Sequence, residues 1–166
     1  ILPLVEKLMP SLPTVKHVVL MCDRDNMPRE HALPSLLCYE DLIEAEDGHY
    51  DWPTFDENAA ASICYTSGTT GNPKGAVYSH RSSVLHAYAV ALPDAMCIKA
   101  TDVVLPVVPM FHVNAWGIPY STALVGCKLV LPGHHLDGES LYKLLDAEGV
   151  TMSSGVAPIW LWTVNS

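Results

Sequence analysis

Between residues 59 and 166, short apolar runs alternate with stretches of helical periodicity, and this alternation restricts the fold more than any other feature. Residues 60–66 form a nearly continuous apolar run, the pattern of a strand buried on both faces. Further runs at 102–108, 128–131 and 150–153 read as strands, separated by helices predicted over 80–92, 113–125 and 137–148, with another starting at 159. On the first helix, Val84, Leu85, Tyr88, Ala91 and Leu92 mark an inward stripe at 3/4 spacing, and Pro93 stops it. Pro119 kinks the second helix or marks its first turn. Asp137 caps the third, Leu141, Leu144 and Leu145 face inward, and Gly149 ends it. Strands that alternate with helices in this way predict an α/β fold with a mainly parallel sheet and flanking helices.

The front of the chain differs in charge. Residues 1–57 hold 12 of the 18 acids and 4 of the 9 basic residues, and the rest is close to neutral. A helix over 4–9, a strand over 18–22 and an acidic surface helix over 39–45 are expected there. The chain is therefore divided into an acidic flanking α/β segment, 1–57, and a core segment, 58–166, which together make one incomplete domain. A hydrophobic content of 49% against 16% charged excludes a disordered chain. A net charge of −9 argues against nucleic acid or an anionic membrane as partner. Residues 103–127 carry no Asp, Glu, Lys or Arg, but Pro106, Pro109, Pro119, His112 and Asn114 would leave polar groups unsatisfied in lipid, so a strand, loop and helix is the better reading. Five scattered cysteines without a CxxC pair, and no targeting signal, suggest reduced thiols and a cytoplasmic setting.

The chemistry concentrates in residues 65–75, Tyr-Thr-Ser-Gly-Thr-Thr-Gly-Asn-Pro-Lys-Gly. The glycines free backbone N–H groups to converge on an anion, four short hydroxyls add donors, and Lys74 adds a mobile cation. Dense donors, little bulk and one positive charge suit a polyphosphate. The spacing is not that of GxxxxGK[ST], because Gly68 and Gly71 lie too close together and Gly75 stands where Ser or Thr is required. A flexible surface loop is the plain alternative, but it accounts poorly for all eleven residues following an apolar strand.

This segment resembles the signature loop of the adenylate-forming superfamily, which includes acyl-CoA synthetases, luciferases and peptide adenylation domains. The resemblance implies that Thr66, Ser67, Gly68, Thr69, Thr70, Gly71 and Lys74 bind the ATP triphosphate, with the Thr66 hydroxyl near Mg²⁺. A carboxylate would then attack the α-phosphate, pyrophosphate would leave, and the thiol of CoA would displace AMP from the acyl-adenylate. Residues 109–117, Pro-Met-Phe-His-Val-Asn-Ala-Trp-Gly, resemble the family's aromatic–His motif. Alone, His112 would more often be a hydrogen-bonded core histidine; inside this motif, the resemblance places it beside the reacting carboxylate, with a catalytic role shared with Lys74 and Thr66. Trp116 reads either as core filler or, in the medium- and long-chain fatty-acyl branch that the motif matches closely, as a gate between nucleotide and acyl tunnel. In that branch Val113 contacts the nucleotide. Gly155 opens a segment resembling a wall of the acyl pocket, although Ala157-Pro158 departs from the usual Gly-Val-Pro-Thr order. The histidine pairs His134/His135 and His80/His86 lack metal-ligand spacing and read as loop and surface residues.

Several elements of the superfamily are not found in the sequence: the Tyr-Gly-x-Thr-Glu motif with its Mg²⁺-binding Glu, the ribose-binding Asp segment, and the small domain with its adenylation lysine. The expectation is thus an internal piece of the large domain of a fatty acid–CoA ligase, inactive as an isolated chain. Its partners would be a fatty acid, ATP and CoA. A ligase for a short or sulfur-containing acid is the alternative within the family, and a truncated, non-catalytic nucleotide-binding module the alternative outside it. Oligomeric state is left open.

Overall fold

The computed structural model describes residues 1–67 and 71–164. It divides into two compact units, Ile1–Pro53 and Thr54–Ser166, so the break falls at 53/54 where charge distribution had set it at 57/58. The difference is local: Arg81 ion-pairs with Glu57 and its backbone N–H donates to the Glu57 carbonyl at 2.8 Å, which ties that acid to the second unit.

In the first unit, helix α1 (Leu2–Leu8) precedes strand β1 (Val18–Leu20), strand β2 (Leu36–Cys38) and helix α2 (Tyr39–Glu44). β1 and β2 pair in parallel, with Val18 opposite Leu36. Arg24, in the intervening loop, reaches Asp41 on α2 at 2.7 Å.

The second unit opens with strands β3 (Ala60–Thr66) and β4 (Lys74–Ser79), which pair antiparallel. Helix α3 (His80–Ala91) follows at once, because the Ser79 side chain accepts from the Ser82 N–H at 3.1 Å and satisfies a donor of the first turn. Strand β5 (Val103–Pro106), helix α4 (Ile118–Val125), strand β6 (Lys128–Leu129), helix α5 (Gly138–Ala147), strand β7 (Met152–Ser154) and helix α6 (Ala157–Val164) complete it. The three later strands form a parallel sheet in the order β6-β5-β7. Asp137 caps α5 by accepting from the Ser140 N–H at 2.9 Å, as its sequence position predicts.

β5 lies at the centre, and both of its faces are covered. Val104 packs with Val90, Ile98, Val108, Ala115 and Ile118, while its neighbour Leu105 packs with Val107, Val130 and Leu141. Helices α3 and α4 therefore supply one side and α5 and α6 the other, which is the α/β layering expected from the sequence.

Two expectations about burial need correcting. Of β3, only Cys64 is buried, whereas Ile63 and Tyr65 are 52% and 67% exposed. β3 belongs to a two-stranded sheet and not to the parallel one, so the two-sided cover expected for it is given to β5 instead. On α3, Val84, Leu85, Tyr88 and Leu92 are exposed, and the helix turns Ala87 and Val90 inward. Small side chains such as Ala87 let α3 lie close against α4, and the bulkier apolar stripe is left outward.

Leu105→Ala should cost about 2–5 kcal/mol in urea unfolding, whereas Leu85→Ala, on the exposed stripe, should stay within about 0.5 kcal/mol. Asp102 provides a pH test. Its carboxylate accepts from the Lys99 N–H at 2.7 Å and the Thr151 hydroxyl at 2.9 Å, and these bonds hold its pKa below the usual value. A folded pKa below the unfolded one stabilises fully above the ordinary carboxylate range, and that contribution is lost as pH falls through the folded pKa. Asp102→Asn should therefore melt below wild type near neutrality, with the gap closing in acid, as thermal scans across pH would read.

Candidate active site

Antiparallel pairing of β3 and β4 brings the two ends of the glycine-rich segment together at one end of the hairpin, its tip. Thr66, the last residue of β3, stands opposite Lys74, the first of β4. Thr66, Ser67, Gly71 and Lys74 are all exposed. Gly71 has φ +108°, a conformation that L side chains rarely adopt. Gly68, Thr69 and Thr70 lie outside the described residues. The Lys74 ammonium makes no hydrogen bond or ion pair among the described residues, while Lys128, Lys143 and Arg81 are each paired with a glutamate.

The aromatic–His segment leaves the carboxyl end of β5 and enters a turn of unusual hand. Val113, Asn114, Ala115, Trp116 and Gly117 have φ of 49°, 49°, 49°, 58° and 70°. This is a left-handed helical turn, so the helix expected over 113–125 starts only at Ile118, with Pro119 in its first turn, one of the two roles the sequence allows it. Left-handed backbone costs L-residues roughly 1–2 kcal/mol each, and least for Asn, so surrounding contacts must hold the turn. Three side chains do so. The Asn114 amide donates to the Ser62 hydroxyl at 3.0 Å, its carbonyl oxygen accepts from the Cys64 thiol at 3.3 Å, and the His86 Nε2 donates to the Trp116 carbonyl at 3.2 Å. Ala115 is fully buried beneath the turn.

These bonds join the aromatic–His segment to the strand that leads into the glycine-rich tip. His112 immediately precedes the turn and is exposed, its N–H donating to the Pro109 carbonyl at 3.1 Å. Trp116 is half-buried against the Val104 side of the core. Val113 lines a pocket of about 260 Å³ together with Tyr78, Ser82, His86, Asn114 and Tyr120. On the other side of the motif, Pro109, Met110 and Phe111 border an open apolar groove with Leu131, Leu136 and Ile159. Gly155 lies apart from the turn. It follows β7, its carbonyl accepts from the Trp160 indole at 3.1 Å, and a Cβ there would sit 3.0 Å from that ring. The neighbouring Ser154 hydroxyl is buried without a partner among the described residues.

Sequence reasoning missed Ser62, Cys64, Asn114 and His86. His86 read as a surface histidine, yet its ring supports a backbone carbonyl 30 residues away. The one legible signal was Asn within the motif, since Asn tolerates left-handed backbone better than its neighbours do.

The family model for AMP-binding enzymes matches residues 2–166. The chain belongs to that family. Among AMP-binding relatives, it is 57% identical over 159 residues to a medium-chain-fatty-acid–CoA ligase from Ectopseudomonas oleovorans, an alignment covering 96% of this chain and 29% of that protein. It is 54% identical, with the same coverage, to a 3-methylmercaptopropionyl-CoA ligase from Ruegeria lacuscaerulensis. The fold matches a luciferase-like enzyme from the mealworm Zophobas morio with a TM-score of 0.75 at 18% identity, covering 99% of this chain and 36% of that one. The chain thus spans under a third of the length of these curated AMP-binding relatives.

The turn offers a stability test. Gly117→Ala would place a Cβ 2.4 Å from His86 Cδ2, whereas Gly126, also left-handed at φ +74°, faces open space. Gly126→Ala should cost about 1 kcal/mol and Gly117→Ala about 1–3 kcal/mol more, compared by urea midpoints.

Proposed function

We propose that these residues form the triphosphate grip and the carboxylate-positioning segment of an ATP-dependent fatty acid–CoA ligase. The observation that carries this reading is the bonded pair of motifs: a lysine unpaired among the described residues and the exposed Thr66 and Ser67 at the end of β3–β4, tied through Asn114 to the turn beside His112. In this reading Thr66, Ser67, Gly68, Thr69, Thr70, Gly71 and Lys74 hold the β- and γ-phosphates. His112 orients the acid carboxylate, whose oxygen attacks the α-phosphorus while the bond to pyrophosphate breaks. CoA thiol attack on the resulting acyl-adenylate then releases AMP. Lys74 and the tip amides stabilise the leaving pyrophosphate, a contribution made by placed charge in a fixed geometry. Val113 and Trp116 border the nucleotide, and Trp116 with Gly155 bounds the acyl chain.

Thr66 fits Mg²⁺ in part. Its exposed hydroxyl is a hard oxygen donor of the kind Mg²⁺ accepts, but it is a single neutral ligand, so phosphate oxygens and a carboxylate from elsewhere would complete the set. Bound there, the ion would neutralise phosphate charge. Dependence on ATP and CoA suits a cytoplasmic enzyme. The identity to the fatty-acid ligase favours a medium or long acyl chain, and the nearly equal identity to the 3-methylmercaptopropionyl ligase keeps a short sulfur-containing acid as the second reading.

The full-length protein should catalyse carboxylate-dependent ATP–pyrophosphate exchange. Lys74→Ala should lower its kcat about 10²–10³-fold, in line with removal of one donor to developing charge. Absence of exchange with every C6–C18 acid would sink the fatty-acid reading, and exchange confined to 3-methylmercaptopropionate would select the second.

A further inference from the structure

The two elements that bracket the glycine-rich tip, β3 before it and α3 after it, both reach the same left-handed turn. From β3, the Ser62 hydroxyl and Cys64 thiol engage both ends of the Asn114 amide; from α3, His86 holds the Trp116 carbonyl. Asn114 is well matched to this place. Its backbone sits at φ 49° and ψ 43°, and its side chain needs one acceptor and one donor, both of which β3 supplies. Ala or Leu would satisfy neither requirement. Cys64 is buried at 6% exposure, so water competes little for its bond.

We propose that Asn114 is a positioning residue that fixes the carboxylate-handling segment relative to the phosphate-gripping tip. It acts through His112 and Trp116 and touches no reacting atom, and the proposal rests on the adenylation reading above. Without the tether the turn can shift relative to β3, and a displacement of about 1 Å at reacting groups costs on the order of 10²-fold in rate. Pyrophosphate binding at the tip, which uses no residue of the turn, stays intact.

The test uses the full-length protein with ATP–pyrophosphate exchange and amide hydrogen exchange as paired readouts. Asn114→Ala should lower kcat about 10–100-fold while KM for pyrophosphate, held by the tip alone, moves less than about threefold. Asn114→Gly keeps the left-handed backbone accessible but lacks the amide, and should lose the same kcat. Ser62→Ala should lose part of it, and adding it to Asn114→Ala should cost nothing more, since both break one link. In each variant the amides of residues 113–117 should exchange faster than in wild type. A wild-type kcat in Asn114→Gly, or loss of kcat and pyrophosphate affinity together, overturns the positioning role. Unchanged amide protection at 113–117 overturns the tether itself. If wild type shows no exchange with any acid, the adenylation reading and the positioning role fall together, while amide protection still decides the tether.

Discussion

Strand β5 is the constraint on which the rest of the second unit depends. It pairs with β6 on one edge and β7 on the other, and Val104 and Leu105 are both fully buried on opposite faces. A strand enclosed on all four sides cannot slip by one residue without exchanging its two side-chain faces, so its register is strongly specified. That register is reinforced at the entry, where Thr151 accepts from the Val103 N–H at 3.0 Å and donates to Asp102. At the exit, the Val107 N–H donates to the Ser154 carbonyl at 2.7 Å. The carboxyl ends of β5 and β7 are thereby placed side by side, and the segments bearing His112 and Gly155 leave from them. In parallel sheets this edge is where ligands collect.

The left-handed turn is the second dependent feature. A chain leaving β5 could continue in a right-handed helix, which 113–125 is otherwise suited to form. Instead, Ala115 goes into the core beside Val104 and Ile118, while Asn114 and the Trp116 carbonyl are held from β3 and α3. Gly117 then allows the close approach of His86, where any Cβ would collide. Strain maintained by packing on one side and hydrogen bonds on the other is found where geometry matters to function, and here it lies within the aromatic–His segment, where that segment is bonded to β3 and α3.

This also explains what the sequence could and could not reveal. Fold class was legible because β5, β6 and β7 alternate with capped helices, and cap residues such as Ser79 and Asp137 act locally. The face that α3 buries was not legible. The helix offers a bulky apolar stripe at Val84, Leu85 and Tyr88 and a second face around Ala87 and Val90, and periodicity ranks them by hydrophobicity, whereas the contact with α4 is decided by close approach. β3 misled for a related reason: its apolar run was counted as two-sided burial, although antiparallel pairing with β4 leaves alternate residues outside. In the candidate site, Lys74 and His112 are singled out by the motifs that contain them. Ser62, Cys64 and His86 were not, since each contributes only through a partner 30 or more residues distant.

Charge distribution links these points to the chemistry. The second unit carries eight acids against five basic residues, and three of those five are spent on glutamates: Arg81 on Glu57, Lys128 on Glu148, Lys143 on Glu139. Lys74 is placed differently. It begins a strand at the mouth of a hairpin, with Thr66 opposite and no acid paired to it among the described residues. A cation paired to a surface carboxylate gives little to an incoming anion, because the existing pair must first be broken. An unpaired one, set beside hydroxyls on a hairpin whose strand is bonded to Asn114, interacts with a phosphate without that cost. The Asn114 bonds therefore matter to the electrostatics as well as to the geometry: they keep the strand that ends opposite Lys74 and the turn that follows His112 on one connected framework.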